Sequence, residues 1–274
     1  MKQTAIIILN YLTWSDTIKE IQQIRCYFDS ADYEIILVDN CSPNESADRL
    51  RTYAVENKYI FLESCENRGY AAGNNIGLKY AYEKGYKYAL VINNDIVLSS
   101  DILTSLCQNI QKADDIAAVS PKILSPTGYE FNRDSKYPTF FDLTIGMISY
   151  KKRGRVLKDE GGWAYVYRPQ GCCMLVDMKA MNEIGYFDER TFLYCEEIIL
   201  AERFLSKGYR VATLVEEAVV HNHSKTVRSV FNKQKYIKMN LNSYGLYLKE
   251  YRHFSWIKRQ LCELFMALKL MILE

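Results

Sequence analysis

An α/β fold is what the sequence predicts: a mostly parallel, doubly wound sheet flanked by helices, with a helical extension at the C-terminal end. Three observations carry this. Across the first 125 residues, short apolar runs alternate with segments of helical period, as in a sheet buried on both faces by crossover helices. Several runs stop abruptly at amides and carboxylates, at Asn10, Asp39-Asn40 and Asn93-Asn94-Asp95. The carboxyl edge of an open parallel sheet is where ligands bind. Two long helical patterns then close the chain.

The strands are read at Ala5–Leu9, Glu34–Val38, Tyr59–Glu63, Tyr88–Ile92 and Ala117–Ser120, each a short run rich in Ile, Val, Leu or Tyr. Between them lie helices at Ser15–Phe28, Ser46–Asn57, Ala71–Lys84 and Asp101–Lys112. In the first helix, Ile18, Ile21, Ile24, Tyr27 and Phe28 recur at helical spacing. Asp101 suits an N-cap, because it precedes Ile102, Leu103 and Leu106. From 125 to 170, Pro126, Gly128, Pro138, Gly154, Gly161, Gly162 and Pro169 break the pattern. That predicts an irregular region over the sheet edge, where an acceptor would sit. Order returns with a strand at Cys172–Asp177, a short helix at Lys179–Ile184 and a helix from Glu196. Strands at Arg210–Val215 and Ala218–His221 follow, then helices near Val230–Lys249 and His253–Leu273.

The totals narrow the function. A chain of 274 residues buries a full core. Its net charge of +2 gives no reason to expect a nucleic-acid partner. Tyrosine is abundant, at 22 residues, and its flat face suits sugar or base stacking. The eight cysteines include no Cys-x-x-Cys, so a zinc ribbon or thioredoxin-like motif is not expected. The apolar run before Asn10 is too short for a signal peptide, and no stretch is long enough to predict a transmembrane helix. The resulting expectation is a cytoplasmic protein with reduced thiols.

Four constellations could carry chemistry. Asn93-Asn94-Asp95 sets oxygen ligands at the sheet edge, suited to a hard divalent cation on a phosphate-bearing substrate; a plain turn competes, since Asn and Asp favour turns. Asp39 could accept hydrogen bonds from a ribose or a base, and there too a turn at Ser42-Pro43-Asn44 competes. Asn67-Arg68-Gly69-Tyr70-Ala71-Ala72-Gly73-Asn74-Asn75-Ile76-Gly77 opens a helix with glycines four apart. Its free N–H groups, the Arg68 cation and the Asn67 and Asn74 amides suit a nucleotide diphosphate; close helix packing is the alternative. Glu196-Glu197 offers a general base at a helix start, where acidic residues are also favoured on electrostatic grounds alone. Finally His221, with His223, Lys225 and Arg228 after it, could complete a metal site with Asp95 and neutralise phosphate. A mixed oxygen and imidazole site suits manganese better than magnesium.

In this order, the motifs resemble those of the inverting glycosyltransferases of family 2, which have the Rossmann-like GT-A fold. The match runs from Ile8-Leu9-Asn10-Tyr11 and Asp16-Thr17 through Val38-Asp39-Asn40 and the Asn67–Gly77 helix start. It continues through Ile92-Asn93-Asn94-Asp95, Gly171, Met174-Leu175-Val176, Gly185-Tyr186-Phe187-Asp188-Glu189, Phe192–Glu197 and His221. The resemblance divides the chain into a glycosyltransferase domain over 1–228 and a helical extension over 229–274. The domain has a nucleotide-binding half, 1–125, and an acceptor half, 126–228.

The resemblance also implies roles. Asp39 would bind the base; Asn10, Asn67, Arg68, Gly73, Asn74, Asn94 and Arg228 would lie near the donor. Asp95 and His221 would hold a divalent cation, Mn2+ or Mg2+. Asn93 stands where the family's metal motif has its first Asp. Glu197 would be the catalytic base, one methylene longer than the family's Asp, with Glu196 as the alternative. The nearest branch is similar to bacterial rhamnosyltransferases of surface polysaccharides such as capsule and O-antigen. That puts dTDP-rhamnose first among donors and implies a glycan acceptor, carried on a lipid.

Rival readings fail on missing motifs. A dehydrogenase needs Gly-x-Gly-x-x-Gly after the first strand, where this chain has Asn10-Tyr11-Leu12-Thr13-Trp14. A nucleotidyltransferase needs a glycine-rich basic loop there. A non-catalytic nucleotide-sugar-binding relative stays open, because Glu replaces Asp at 197 and Asn stands at 93. In the last helix, Ile257, Leu261, Leu264, Leu268 and Met271 form an apolar stripe. It predicts packing on the domain, a homodimer seam, or peripheral contact with the inner face of the cell membrane.

Overall fold

The computed structural model describes residues 2–131, 135–148, 157–222 and 232–272. The α/β prediction holds. One nine-stranded sheet runs through the protein in the order β3-β2-β1-β4-β8-β6-β9-β5, with β7 also on β9. The strands are β1 (Thr4–Asn10), β2 (Tyr33–Asp39), β3 (Ile60–Glu63), β4 (Tyr88–Ile92), β5 (Ile96–Val97), β6 (Ile116–Leu124), β7 (Trp163–Val166), β8 (Cys173–Asp177) and β9 (Arg210–His221). The helices are α1 (Trp14–Tyr27), α2 (Ser46–Asn57), α3 (Tyr70–Glu83), α4 (Ile102–Asn109), α5 (Ile145–Ile148), α6 (Met178–Glu183), α7 (Glu196–Leu205), α8 (Lys233–Leu246) and α9 (Trp256–Ile272). A π-helical turn, Tyr247–Tyr251, joins the last two helices.

Why β1, β2 and β4 read as unbroken apolar runs is plain from their surroundings. Both faces of the sheet are covered, so strict alternation would bury polar side chains. On one face Ile6, Ile8 and Leu90 pack with Ile21 and Ile24 of α1, Ala54 of α2 and Leu103 and Leu106 of α4. On the other, Ile7, Val38 and Val91 pack with Leu78 of α3, Met181 of α6 and Leu200 and Phe204 of α7. A third cluster seats the extension: Tyr244, Tyr247, Leu248 and Cys262 close on Leu143 and on Ile199 of α7.

Strand direction positions the site. The strands β3, β2, β1 and β4 are parallel, and β8 then enters antiparallel beside β4, with Ile92 opposite Cys173. That reversal puts the start of β8 at the edge where β1, β2 and β4 end. β9 is parallel to β6 and meets β5 antiparallel, with Ile96 opposite His221. The sheet is therefore parallel in its first half and mixed in its second.

Some expectations change. The 125–170 region is not wholly irregular, since β7 pairs with β9 and α5 is helical. The strands expected at Arg210–Val215 and Ala218–His221 are one strand, whose pairing with β6 shifts register between Ser120 and Lys122. Asp101 does cap α4, accepting from Thr104 N at 3.2 Å. No helix among the described residues is long and apolar enough to cross a membrane. All eight cysteines are free thiols.

Candidate active site

Three strand ends are tied by one polar network. Asp39 is fully buried, and its carboxylate accepts from Asn10 Nδ2 at 2.7 Å and from Ser42 N and Ser42 Oγ, each at 2.8 Å. Asn10 Oδ1 accepts from Thr17 Oγ1 at 2.9 Å. Asn94 Nδ2 donates to Thr13 Oγ1 at 2.9 Å and Thr17 Oγ1 at 2.8 Å. Asp39, Asn10 and Asn94 were each expected at the donor. They also hold the ends of β1, β2 and β4 together, and the Asp39 side chain is fully buried.

The turn at Asn94-Asp95 is indeed a turn, and β5 follows at once. The β5–β9 register brings Asp95 and His221 together, with His221 Nε2 3.1 Å from Asp95 Oδ1. Asn222 N donates to Asp95 O at 2.9 Å, which locks the pair from the backbone. Both side chains are mostly buried, at 12% and 13% exposure. His223, Lys225 and Arg228 lie outside the described residues.

The start of α3 is stitched to the loop before α7. Gly69 has φ +94, and a Cβ there would stand 1.9 Å from Phe192 O. Only glycine fits, and Tyr70 N donates to that same oxygen at 3.0 Å. Asn67 Oδ1 accepts from Gly69 N at 3.0 Å and Asn40 Nδ2 at 3.1 Å. Asn74 donates to Tyr70 O at 3.0 Å, while its buried Oδ1, like that of Asn40, has no partner among the described residues. Arg68 is half exposed and pairs with Glu189 at 3.2 Å. A Cβ on Gly73 would meet Leu9 side-chain atoms at 2.7 and 2.9 Å and Asn40 Cγ at 3.3 Å, so glycine there lets α3 sit close to β1.

Glu196 and Glu197 have different surroundings. The Glu196 side chain is buried, with its Oε1 unpartnered among the described residues. Burial, and then the neighbouring Glu197 charge, push its carboxyl up to about 8. Glu197 is part-exposed and lies on Gly171, where a Cβ would be 2.7 Å from its Cγ and Oε1. Tyr70 OH donates to Gly171 O at 2.7 Å, and Asn93 N donates to Cys172 O at 2.9 Å. Burial first, then the Glu197 and Asp95 carboxylates, drive the Cys172 thiol well up. The residues just before β8 thus join the Asp95–His221 pair to Glu197. Tyr194 and Cys195, which aim both glutamates, have φ values of 74° and 66°. Such left-handed backbone costs about 1–3 kcal/mol per residue and persists where surrounding structure enforces it, often at functional sites.

Sequence reasoning missed three residues that matter here. Thr17 links Asn10 to Asn94. Asn75 accepts from Phe187 N and donates to Phe187 O, both at 3.0 Å, fixing α3 to the Phe187–Glu189 turn. Glu20 is buried on the α1 face that also carries Thr17, Ile21 and Ile24. Burial, then the Asp95 charge, push its carboxyl up to about 9. A glutamate on the buried stripe of an amphipathic helix was the available signal.

Comparison with known proteins gives the family and the fold. The family model for Glycosyl transferase family 2 matches residues 6–184. A low-salt glycan biosynthesis hexosyltransferase, Agl10 of Haloferax volcanii, is 26% identical over 219 residues, 80% of this chain and 66% of the relative. A poly-beta-1,6-N-acetyl-D-glucosamine synthase of Staphylococcus aureus is 26% identical over 200 residues, 72% of this chain and 44% of the relative. The chain thus spans less than two thirds of the length of either. Among solved structures, the mannosyltransferase PcManGT from Pyrobaculum calidifontis, in complex with GDP-Man and Mn2+, superposes with a TM-score of 0.63 at 15% identity. That alignment covers 98% of this chain and 70% of PcManGT, and it shows the shared GT-A fold. The chain belongs to glycosyl transferase family 2.

Proposed function

We propose that the protein is an inverting glycosyltransferase that moves a hexose from a nucleoside-diphosphate sugar to a hydroxyl of a growing glycan. The observation that carries this is the meeting, around Gly171-Cys172, of the Asp95–His221 pair with the part-exposed Glu197. One site then holds a place for the leaving diphosphate and a base for the attacking hydroxyl.

Glu197 takes the acceptor proton as the oxygen attacks the anomeric carbon in line, which inverts its configuration. Glu196 is a poorer base in this setting. It is buried, and with its carboxyl at about 8 it is mostly protonated at neutral pH. Asp95 and His221 fit a divalent cation, Mn2+ or Mg2+, since one supplies a hard oxygen and the other an imidazole nitrogen. A cation held there supplies Lewis-acid stabilisation to the departing diphosphate. Agl10 is a hexosyltransferase of glycan biosynthesis, which supports a hexose donor and a glycan acceptor; dTDP-rhamnose opens the donor panel. The acceptor glycan is proposed to be lipid-linked.

Calorimetric titration of a nucleotide-sugar panel, with and without manganese, tests the reading. One donor should bind more tightly with manganese, and Asp95→Ala should remove that gain. Equal affinity with and without the metal would refute the cation's part.

A further inference from the structure

The C-terminal extension has a surface that the transfer reaction does not use. Helix α9 has two apolar faces. Cys262 and Leu270 are buried, and with the partly buried Met266 they turn toward the protein. The opposite side carries Ile257, Leu261, Leu264, Leu268 and Met271, at the spacing that places them along one helix stripe. Ile257, Leu264 and Met271 are 66%, 55% and 55% exposed, and Trp256 at the head of the helix is 67% exposed. Of the three fates the sequence allowed this stripe, packing on its own domain is not the one adopted. Phe141 and Ile145 are also exposed, in the segment packed beside α9.

Charge selects the occupant. Between Lys233 and Ile272 there are eight Lys and Arg against two Glu, a formal +6, in a chain whose total is +2. Lys258 and Lys269 border one side of the apolar stripe on α9, with the Lys258 ammonium 5.8 Å from the Phe140 and Phe254 rings. A second copy would bring two such extensions together, like charge against like. The stripe also spans only about two heptads, short of the three to four that mark a coiled-coil seam. An anionic lipid surface satisfies both features: it takes Trp and aliphatic side chains at the headgroup boundary and attracts the lysines.

We propose that α9 lies in the plane of an anionic bilayer, with Trp256, Ile257, Leu261, Leu264 and Met271 inserted at the headgroup boundary. The consequence for the site is spatial. Helix α8, which packs on α9, also holds the catalytic loop: Ser243 Oγ donates to Leu193 O at 2.8 Å, and Tyr236 packs edge-on against Tyr194 at 5.4 Å. A bilayer under α9 would lie one helix away from the loop that leads into Glu197. The membrane proposal stands on the extension's surface alone; its link to a lipid-borne acceptor rests on the transferase reading.

Co-sedimentation with phosphatidylcholine vesicles, with and without phosphatidylglycerol, tests it separately from activity. The wild type should bind the phosphatidylglycerol vesicles, weakly or not at all the neutral ones, and less as salt rises. Ile257→Glu with Leu264→Glu should lower the bound fraction by roughly tenfold or more. Both positions are exposed, so the melting temperature should not change. Lys258→Glu with Lys269→Glu should weaken binding to the anionic vesicles specifically. The proposal is overturned if the wild type does not sediment with anionic vesicles. It is equally overturned if both double variants bind as the wild type does, or if light scattering finds a dimer that the glutamate variants split while vesicle binding is absent.

Discussion

Glu20 shows how a single side chain reports on the site behind it. Its carboxyl is pushed from 4.5 up to about 9 by burial and by Asp95. The native state therefore keeps a proton that the unfolded chain loses, and the sign follows from linkage. The group's contribution to stability is whole below about 4.5 and is lost as pH climbs toward about 9. Glu20→Gln keeps the shape and cannot ionise. In thermal melts across that window, the wild type should lose more stability with rising pH than the variant does; parallel curves would show that Glu20 is not held neutral. At this same scale the sequence was most and least informative. Asp95, Glu197 and His221 stood out in the sequence as candidates, because the chemistry they offer is carried by residue type. The network that ties Asp39, Asn10 and Asn94 together did not, because a buried polar side chain that positions a strand end has the same letter as one that touches a ligand.

Among the elements, α3 ties the sheet to the loop before α7, and its glycines set the distance. A Cβ on Gly77 would meet Ile7 Cγ2 at 2.7 Å and Val38 Cγ2 at 3.2 Å. Alanine is the better helix former by about 1 kcal/mol. Overpacking a tight core costs about 1–3 kcal/mol. The second effect should win, so Gly77→Ala is expected to lower the urea midpoint; a raised midpoint would mean that α3 can move away from β1. The repeated glycines were visible in the sequence, but the closeness of α3 to β1 was not, because packing and phosphate cradling ask for the same small residue. Strand β7 was hidden for another reason. Its four residues, Trp163–Val166, sit between Gly161-Gly162 and Pro169. A run that short carries too little period to stand out. In β9, Glu216-Glu217 interrupts the apolar pattern where the pairing with β6 shifts register, so one strand read as two.

For the whole molecule, the C-terminal helices are joined to the Pro138 and Glu202 segments through Arg252. Its mostly buried guanidinium donates to Tyr247 OH at 2.9 Å and Pro138 O at 2.8 Å, and stacks over Tyr137 at 4.2 Å. Glu202, on the helix that begins with the glutamate pair, lies 3.8 Å away and accepts from Tyr167 OH at 2.6 Å. Removing the cation leaves Glu202 and the Pro138 carbonyl without it. Arg252→Met should therefore cost about 3 kcal/mol in denaturant unfolding, and a loss below about 0.5 kcal/mol would mean that the extension is not coupled through this residue. The sequence predicted two closing helices but not this junction, because Arg252 meets Pro138 and Glu202 only after the chain has returned across the domain.

The claim that unites these scales is that the meeting of Asp95–His221 with Glu197 is a glycosyl-transfer site. It is tested most directly by the rate of acceptor-dependent sugar transfer in Glu197→Gln, at a donor concentration that saturates both proteins. The predicted result is a loss of about 10²–10⁴-fold, the usual worth of a general base, with donor affinity unchanged. Transfer at the wild-type rate would contradict the account.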